Sequence, residues 1–364
     1  MASDPASPDA PVHAIGWFEG RFGYNTHTRN FFDYLSRRIP VVASPMLGLE
    51  GPWCADRTIL RNVPSLTPRA TIALLYGSHM QVLEGAPGRR IAYTVWESTR
   101  VPDDWHAPLA IADEIWIPTE WGRSVLLQNG FPANRIQVVP EGVDPQTFNP
   151  QIPPSDALNG FRGFRFLNIG RYEDRKGTRL LIECFDKAFS RQDDAFLILA
   201  CDNHHDPEFD IGRILRELNL RHPEKLAFIP PVSTHTLLAG VYRACDAFVA
   251  PFRAEGWGLP LIEAMACGLP VIATGYSGPT EFLGPDAYRI DFTMTDIRQP
   301  YFESASEEYG QWAEPDRDHL IALMREVYET RSDAAARGLR GSRHVIQNFS
   351  WDSAAEKAAS LLKD

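Results

Sequence analysis

The sequence predicts an α/β protein made of two doubly wound parallel-sheet domains in tandem. Three observations carry that expectation. Short runs that are apolar throughout alternate with helical patterns, as strands covered by helices on both faces do. A length of 364 residues accommodates two domains of ordinary size, each able to bury a core without disulfides or structural metal. Near the middle, Pro150, Pro153 and Pro154 fall within five residues, a poor helix or central strand and a good linker.

Each element follows from local pattern. Residues 1–11 are rich in Pro, Ser, Asp and Ala, lack the basic and apolar regions of a signal peptide, and read as a flexible tail. The first domain is expected over 12–149. It opens with a strand at 12–18, a glycine-bearing turn at 19–24 and a helix at 28–38, where Phe31, Phe32 and Leu35 share a face. Strands follow at 90–96 and 114–117. Thr119 N-caps a helix at 120–129 that Gly130 closes, and 136–139 is the next strand. After a linker at 150–160, the second domain is expected over 161–343. Its strands at 164–169, 195–200, 226–229, 247–250 and 271–274 alternate with helices at 178–189, 210–218, 234–243 and 260–266. Two further helical patterns cover 316–331 and 353–363. Ligands of such sheets bind at the carboxyl ends of strands, so the cleft between the domains is the expected site.

Composition narrows the function classes. With 23% charged and 44% hydrophobic residues, the chain is neither disordered nor collagen-like nor a coiled coil. A net charge of −11 argues against a nucleic-acid-binding face, and an anionic partner would need a local basic pocket. Five widely spaced cysteines with no C-x-x-C predict neither a disulfide framework nor a zinc knuckle, and point to a reducing compartment. No run is long and apolar enough to span a membrane. The expected location is cytoplasmic, with at most peripheral contact at the inner face of the membrane. The helix bearing Arg29, Phe31, Phe32, Tyr34, Arg37 and Arg38 could meet lipid, but the acidic chain favours its packing on the first sheet. A dehydrogenase is disfavoured, because Gly16, Gly20 and Gly23 do not have G-x-G-x-x-G spacing.

Two stretches concentrate chemistry. In Asn168-Ile-Gly-Arg-Tyr-Glu-Asp-Arg-Lys-Gly177, a strand ends at Gly170, Arg171 follows, and Lys176 stands beside a helix entry. Two cations and free helix-start N–H groups can grip a diphosphate; a solvated loop balanced by Glu173 and Asp174 is the alternative. The second stretch runs from Phe252 to Gly268. Gly256 and Gly258 open a loop before a helix that starts around Leu259–Leu261, with Pro260 in its first turn. Glu255 lies in the loop, and Glu263, eight residues later, sits among Leu261, Ile262, Ala264, Met265 and Ala266. A carboxylate in so apolar a helix costs energy unless bonded. A helix cap at Glu255 and a surface charge at Glu263 are the bland readings; hydrogen bonding to sugar and ribose hydroxyls is the functional one.

The stretch EGWGLPLIEAMACGLPVIAT, with its Glu255-x7-Glu263 spacing, resembles the signature of the retaining glycosyltransferases of family 4, which have the GT-B fold. FLNIGRYEDRKG resembles that family's diphosphate-binding loop. FGYNTHTRNF, IWIPTEWGRSVLLQNGF, IQVVPEGVDPQTFNP and FSWDSAAEKAASLL extend the likeness over most of the chain. The resemblance implies two Rossmann-like domains facing a cleft, the first for acceptor and the second for donor. It also implies that the last helix, within 344–364, crosses back to the first domain. Arg171 and Lys176 would bind the donor diphosphate, Glu255 the sugar and Glu263 the ribose. Gly170, the backbone of Gly256, Trp257, Gly258 and Leu259, and Gly23 from the first domain would line the donor. The implied reaction transfers a sugar from a UDP-, GDP- or dTDP-sugar to a hydroxyl of a glycan, lipid-linked or small-molecule acceptor. The nucleotide-sugar is a substrate, and no metal or other cofactor is implied. A nucleotide-sugar epimerase and a non-catalytic nucleotide-sugar binding protein are the alternatives.

The chain departs from the family where many relatives place a histidine near the donor sugar. Here the stretch reads Tyr93-Thr-Val-Trp-Glu-Ser-Thr-Arg100. Glu97 takes that role or is a rim charge paired with Arg100, and His27 or His79 are the other acceptor-side candidates. Glu141 stands for the usual Asn before Gly-Val-Asp, and Gly275-Tyr-Ser-Gly for a common Gly-Gly form. The cluster His204, His205, Asp206, Glu208 and Asp210 reads as a solvated loop, because adjacent histidines diverge and no His pair has i, i+4 spacing.

Overall fold

The computed structural model describes residues 10–20, 22–46, 67–203, 208–230, 232, 234–302 and 307–363. Their contacts divide them into two compact units. The described residues of 1–142, 296–311 and 349–364 form the first, and those of 143–295 and 312–348 the second.

The first unit comprises β1 (Val12–Gly16), α1 (Gly23–Ser36), β2 (Val41–Pro45), β3 (Ala70–Leu74), β4 (Arg89–Tyr93), α2 (His106–Ile111), β5 (Glu114–Ile117), α3 (Glu120–Gln128) and β6 (Ile136–Val138). The strands form a parallel sheet in the order β2-β1-β3-β4-β5-β6. Thr119 caps α3 as its sequence predicts, its hydroxyl accepting from Gly122 N at 2.9 Å. Helix α1 starts five residues earlier than its apolar spacing indicates. Asn25 explains this: its side chain accepts from Phe22 N and donates to the carbonyls of Trp17 and Glu19, lacing the glycine turn to the first helical turn. The sequence pattern missed β2 and β3. Ala70–Leu74 is buried throughout, but five residues of Ala, Thr, Ile, Ala and Leu carry little β signal until neighbours pair with them.

The second unit comprises β7 (Phe164–Arg171), α4 (Thr178–Ala188), β8 (Ala195–Asp202), α5 (Ile211–Leu218), β9 (Leu226–Phe228), α6 (His235–Arg243), β10 (Ala247–Ala250), α7 (Leu259–Ala266), β11 (Val271–Thr274), β12 (Tyr288–Ile290), β13 (Phe292–Asp296), β14 (Gln311–Pro315), α8 (Arg317–Glu329) and α9 (Arg331–Asn348). Its parallel sheet runs β12-β11-β10-β7-β8-β9. Asp210, Thr234 and Asp316, placed inside helices by pattern alone, are instead their N-caps. Helix α9 escaped prediction because its stripe is interrupted by Gly338 and Gly341. At Gly338 a Cβ would stand 2.4 Å from the Gly268 carbonyl, so the glycine serves close packing beside α7.

The linker expected at 150–160 belongs with the second unit: Ser155 N donates to Gly240 O at 2.8 Å, and the Phe148 ring lies 6.0 Å from Tyr242. Conversely, 296–311 clusters with the first unit although it lies within the expected second domain. So does α10 (Trp351–Leu361), capped by Ser350 and packed on α1. Arg38 grips Asp352 through two bonds of 2.9 Å, and buried Trp351 faces His27. Arg29, Phe31, Phe32 and Tyr34 are all buried, so α1 does not offer that face to lipid. Among the described residues no helix is long and apolar enough to cross a membrane.

Gly142 is where α10 meets the loop after β6: a Cβ there would stand 2.3 Å from Trp351 N. Gly142→Ala is expected to destabilise the chain by about 1–3 kcal/mol through overpacking. Urea unfolding followed by tryptophan fluorescence would read the loss, and an unchanged midpoint would contradict it.

Candidate functional site

The strand order of the second sheet reverses between β7 and β10, and sheets of this kind bind ligands at the carboxyl ends of the strands beside such a reversal. Both chemistry-bearing stretches emerge there. β7 continues to Gly170 and Arg171, which pair with Cys201 and Asp202 of β8. A 3-10 turn, Asp174–Lys176, leads to Gly177 at φ 69°, and a Cβ at Gly177 would stand 2.1 Å from the Pro251 carbonyl. Only glycine both adopts that conformation readily and lets the two loops lie together. In the loop after β10, Gly258 at φ 99° turns the chain into α7, with Pro260 in the first turn.

A lattice of charges joins the loops. Glu255 Oε2 stands 3.1 Å from Arg175 Nη1, and its Oε1 accepts from Lys176 Nζ. Arg175 also pairs with Glu173 at 2.7 Å and donates to Ala254 O, while Arg171 Nε lies 3.3 Å from Glu173. Burial pushes the Glu255 carboxyl up, but Lys176 and Arg175 outweigh it and hold its pKa below the ordinary value. Glu173 behaves likewise beneath Arg175, Arg171 and Lys176. Arg171, one-third exposed, stands at the rim, whereas Arg175 is buried.

Glu263 is buried in α7 and accepts from the Tyr242 hydroxyl at 3.0 Å. Burial pushes its pKa up to about 8, with the Tyr242 bond opposing, so at neutral pH it is predominantly a protonated acid. It is therefore no surface charge. The Trp257 ring is buried on Phe282, 5.1 Å between centroids, so it is the backbone of Gly256–Leu259 that this loop can present.

The remaining predicted residues lie in the first unit. Gly23 is the exposed first residue of α1, where a Cβ would meet nothing within 4 Å. His27 does not fit an acceptor-side role. It is 1% exposed, enclosed by Phe31, Tyr93 and Trp351, and burial lowers its pKa to about 3. Its Nδ1 faces buried Glu141 at 3.5 Å. Its apolar neighbours make it part of the core beneath α10. His79 is half-buried in the turn after β3, beside Trp17, and Glu97 accepts from the Tyr301 hydroxyl at 2.5 Å, while Arg100 pairs with Asp103 and Glu308. His204, His205 and Asp206 lie outside the described residues.

Sequence reasoning did not single out Arg175, Ser277 or Tyr242. Ser277, at φ 58° and ψ −153°, occupies backbone space that glycine favours, and its buried hydroxyl accepts from Glu255 N at 2.9 Å. Such strain costs ~1–3 kcal/mol and persists where surroundings impose it. The Gly275-Tyr-Ser-Gly departure was the available signal. Arg175 had only its place in a basic loop, and Tyr242 its place on an apolar helix face.

Residues 163–294 match the family model described as "Glycosyl transferases group 1". The mannosylfructose-phosphate synthase of Agrobacterium fabrum is 35% identical over 166 residues, 42% of this chain and 36% of that protein. The D-inositol 3-phosphate glycosyltransferase of Mycobacterium tuberculosis is 28% identical over 260 residues, 66% of this chain and 46% of that protein. The chain thus aligns with less than half the length of these curated relatives. Among solved structures, the sucrose-phosphate synthase from Thermosynechococcus elongatus has a TM-score of 0.70 at 17% identity, covering 97% of this chain and 98% of its own. Anabaena HepE in complex with UDP and glucose has a TM-score of 0.71 at 14% identity, covering 97% and 99%. The segment 163–294 is thus similar to glycosyl transferases group 1, and the chain has the GT-B fold of these solved structures.

The raised pKa of Glu263 has a measurable consequence. Its ordinary value is 4.5 and its folded value about 8, so folding takes up a proton between those limits. That contribution is fully present below pH 4.5 and is lost as pH rises towards 8. Glu263→Gln removes it. The variant's stability relative to the native chain is expected to improve by roughly 1 kcal/mol per pH unit across this window. Urea unfolding at several pH values would show it, and a pH-independent difference would refute it.

Proposed function

We propose that this protein is a retaining, metal-independent glycosyltransferase that moves a sugar from a nucleoside-diphosphate sugar to an acceptor hydroxyl. The observation that carries the reading is the gathering of Arg171, Lys176 and Glu255 at the carboxyl ends of β7 and β10, where the second sheet changes direction. The group 1 match over the same segment and the UDP and glucose in the HepE structure support it.

The chemistry assigns each group a part. The bond between sugar C1 and the β-phosphate oxygen breaks, and its electron pair leaves with the diphosphate. Arg171 and Lys176 stabilise the charge that develops there, the task a metal ion would otherwise perform. Lys176 must then shift from Glu255 to phosphate. Glu255 keeps Arg175 and turns its freed oxygen to sugar hydroxyls. The acceptor oxygen attacks C1 from the face the diphosphate leaves, and its proton passes to the departing phosphate oxygen. Glu263, bonded to Tyr242, serves the ribose as a neutral acid able to donate a hydrogen bond.

A nucleoside diphosphate at ~100 times its Kd is expected to stabilise the chain by about 2.7 kcal/mol. A thermal-shift panel of UDP, GDP, dTDP and ADP reads this and names the base; no shift with any of them would overturn the reading. Arg171→Ala and Lys176→Ala are each expected to lower turnover by ~10²-fold or more, with unchanged circular dichroism. Full activity in both would remove their assigned part. Turnover should also survive EDTA, and strong inhibition would contradict metal independence.

A further inference from the structure

The first sheet has its own reversal, between β1 and β3, because β2 lies on one side of β1 and β3 on the other. What leaves those strand ends is a cluster of rings. Trp17 follows β1 and Tyr76 follows β3, with centroids 5.1 Å apart. Tyr24 in the first turn of α1 stands 4.6 Å from Tyr76, and His79 stands 5.4 Å from Trp17. Most large apolar side chains here are buried, yet Tyr76 is 39% exposed. The Tyr24 hydroxyl both accepts from Val95 N and donates to Val95 O, tying the loop after β4 to this cluster. That loop carries Glu97.

Glu97 is held from a distant part of the sequence. Residues 296–311 leave the second unit between β13 and β14 and dock on the first. Ser98 donates to Tyr309 O, Gln311 N donates to Thr99, and Arg100 pairs with Glu308. Tyr301 sits 6.0 Å from Trp96 and donates its hydroxyl to Glu97 Oε2. One carboxylate oxygen is thereby oriented by a fixed donor.

We propose that this switch point binds an uncharged, polyhydroxylated ring, a free sugar, cyclitol or simple glycoside without phosphate. One ring face lies on Tyr76, two hydroxyls reach Glu97, and Tyr301 acts as the positioning residue. The chemistry of the edge sets the class. Aromatic faces match the C–H face of a sugar ring, and a carboxylate accepts from neighbouring hydroxyls. Among the described residues, Arg100 of the loop after β4 pairs with Asp103 and Glu308, and Arg29 of α1 donates to Phe18 O and Gly20 O. A phosphate here would meet the charge of Glu97. The assignment rests on the transferase reading in that the ring is the acceptor.

The full chain is titrated with myo-inositol, methyl α-D-glucopyranoside and glucose 6-phosphate, followed by tryptophan fluorescence and saturation-transfer NMR. At least one neutral probe is expected to bind more tightly than glucose 6-phosphate. Tyr76→Ala and Glu97→Gln should weaken it about tenfold, as loss of a charged hydrogen bond would. Tyr301→Phe, which keeps the ring, should weaken it several-fold. Thermal stabilisation by UDP, GDP, dTDP or ADP confirms in parallel that each variant is folded. Tighter binding of glucose 6-phosphate, equal affinity in all three variants, or binding of no probe by a nucleotide-stabilised chain overturns the proposal. If no nucleotide stabilises the native chain while a neutral probe binds as expected, the transferase reading fails and the polyol site stands.

Discussion

The bond set between Glu255 and the cations Arg175 and Lys176 is the constraint on which the candidate site of the second unit depends. It joins two loops 79 residues apart in sequence, and it does so at the point where the second sheet reverses. A buried carboxylate is costly alone and acceptable when two cations meet it. Gly177 permits the approach of the loops, and Ser277 anchors the Glu255 amide from a third loop. Charge pairing thus holds these loops together.

Around α7 the polar groups follow a different logic. Burial in an apolar helix keeps Glu263 protonated, where Lys176 and Arg175 keep Glu255 ionised. Two carboxyl groups eight residues apart therefore hold opposite protonation states at neutral pH. Tyr242 supplies the donor that makes this burial tolerable, and its own phenol is pushed well above the ordinary value by burial and by Glu263.

The first unit is closed by segments from late in the chain. Helix α10 covers α1 through Trp351 and the Arg38–Asp352 pair, and 296–311 covers the loop after β4. His27 illustrates the consequence. A histidine at that sequence position looks available, yet α10 and the aromatic residues around it turn it into a neutral core residue. Glu97, by contrast, is oriented by Tyr301, which arrives from far downstream, a sequence separation of 204.

The sequence alone determined the alternation of strands and helices in the second half, the cap at Thr119, the placement of Pro260 in the first turn of α7, and which two stretches concentrate charged residues beside glycine turns. These are local: propensity, periodicity and turn chemistry act within a few residues. Tertiary structure decided the rest. Ala70–Leu74 became a central strand only by pairing with β1 and β4, and Arg175 became a buried bridge only by meeting Glu255. The burial of His27 and the protonation of Glu263 likewise depend on what surrounds them. Burial and pairing are properties of neighbours in space, and side chains 79 or 204 positions away leave no mark on the local pattern.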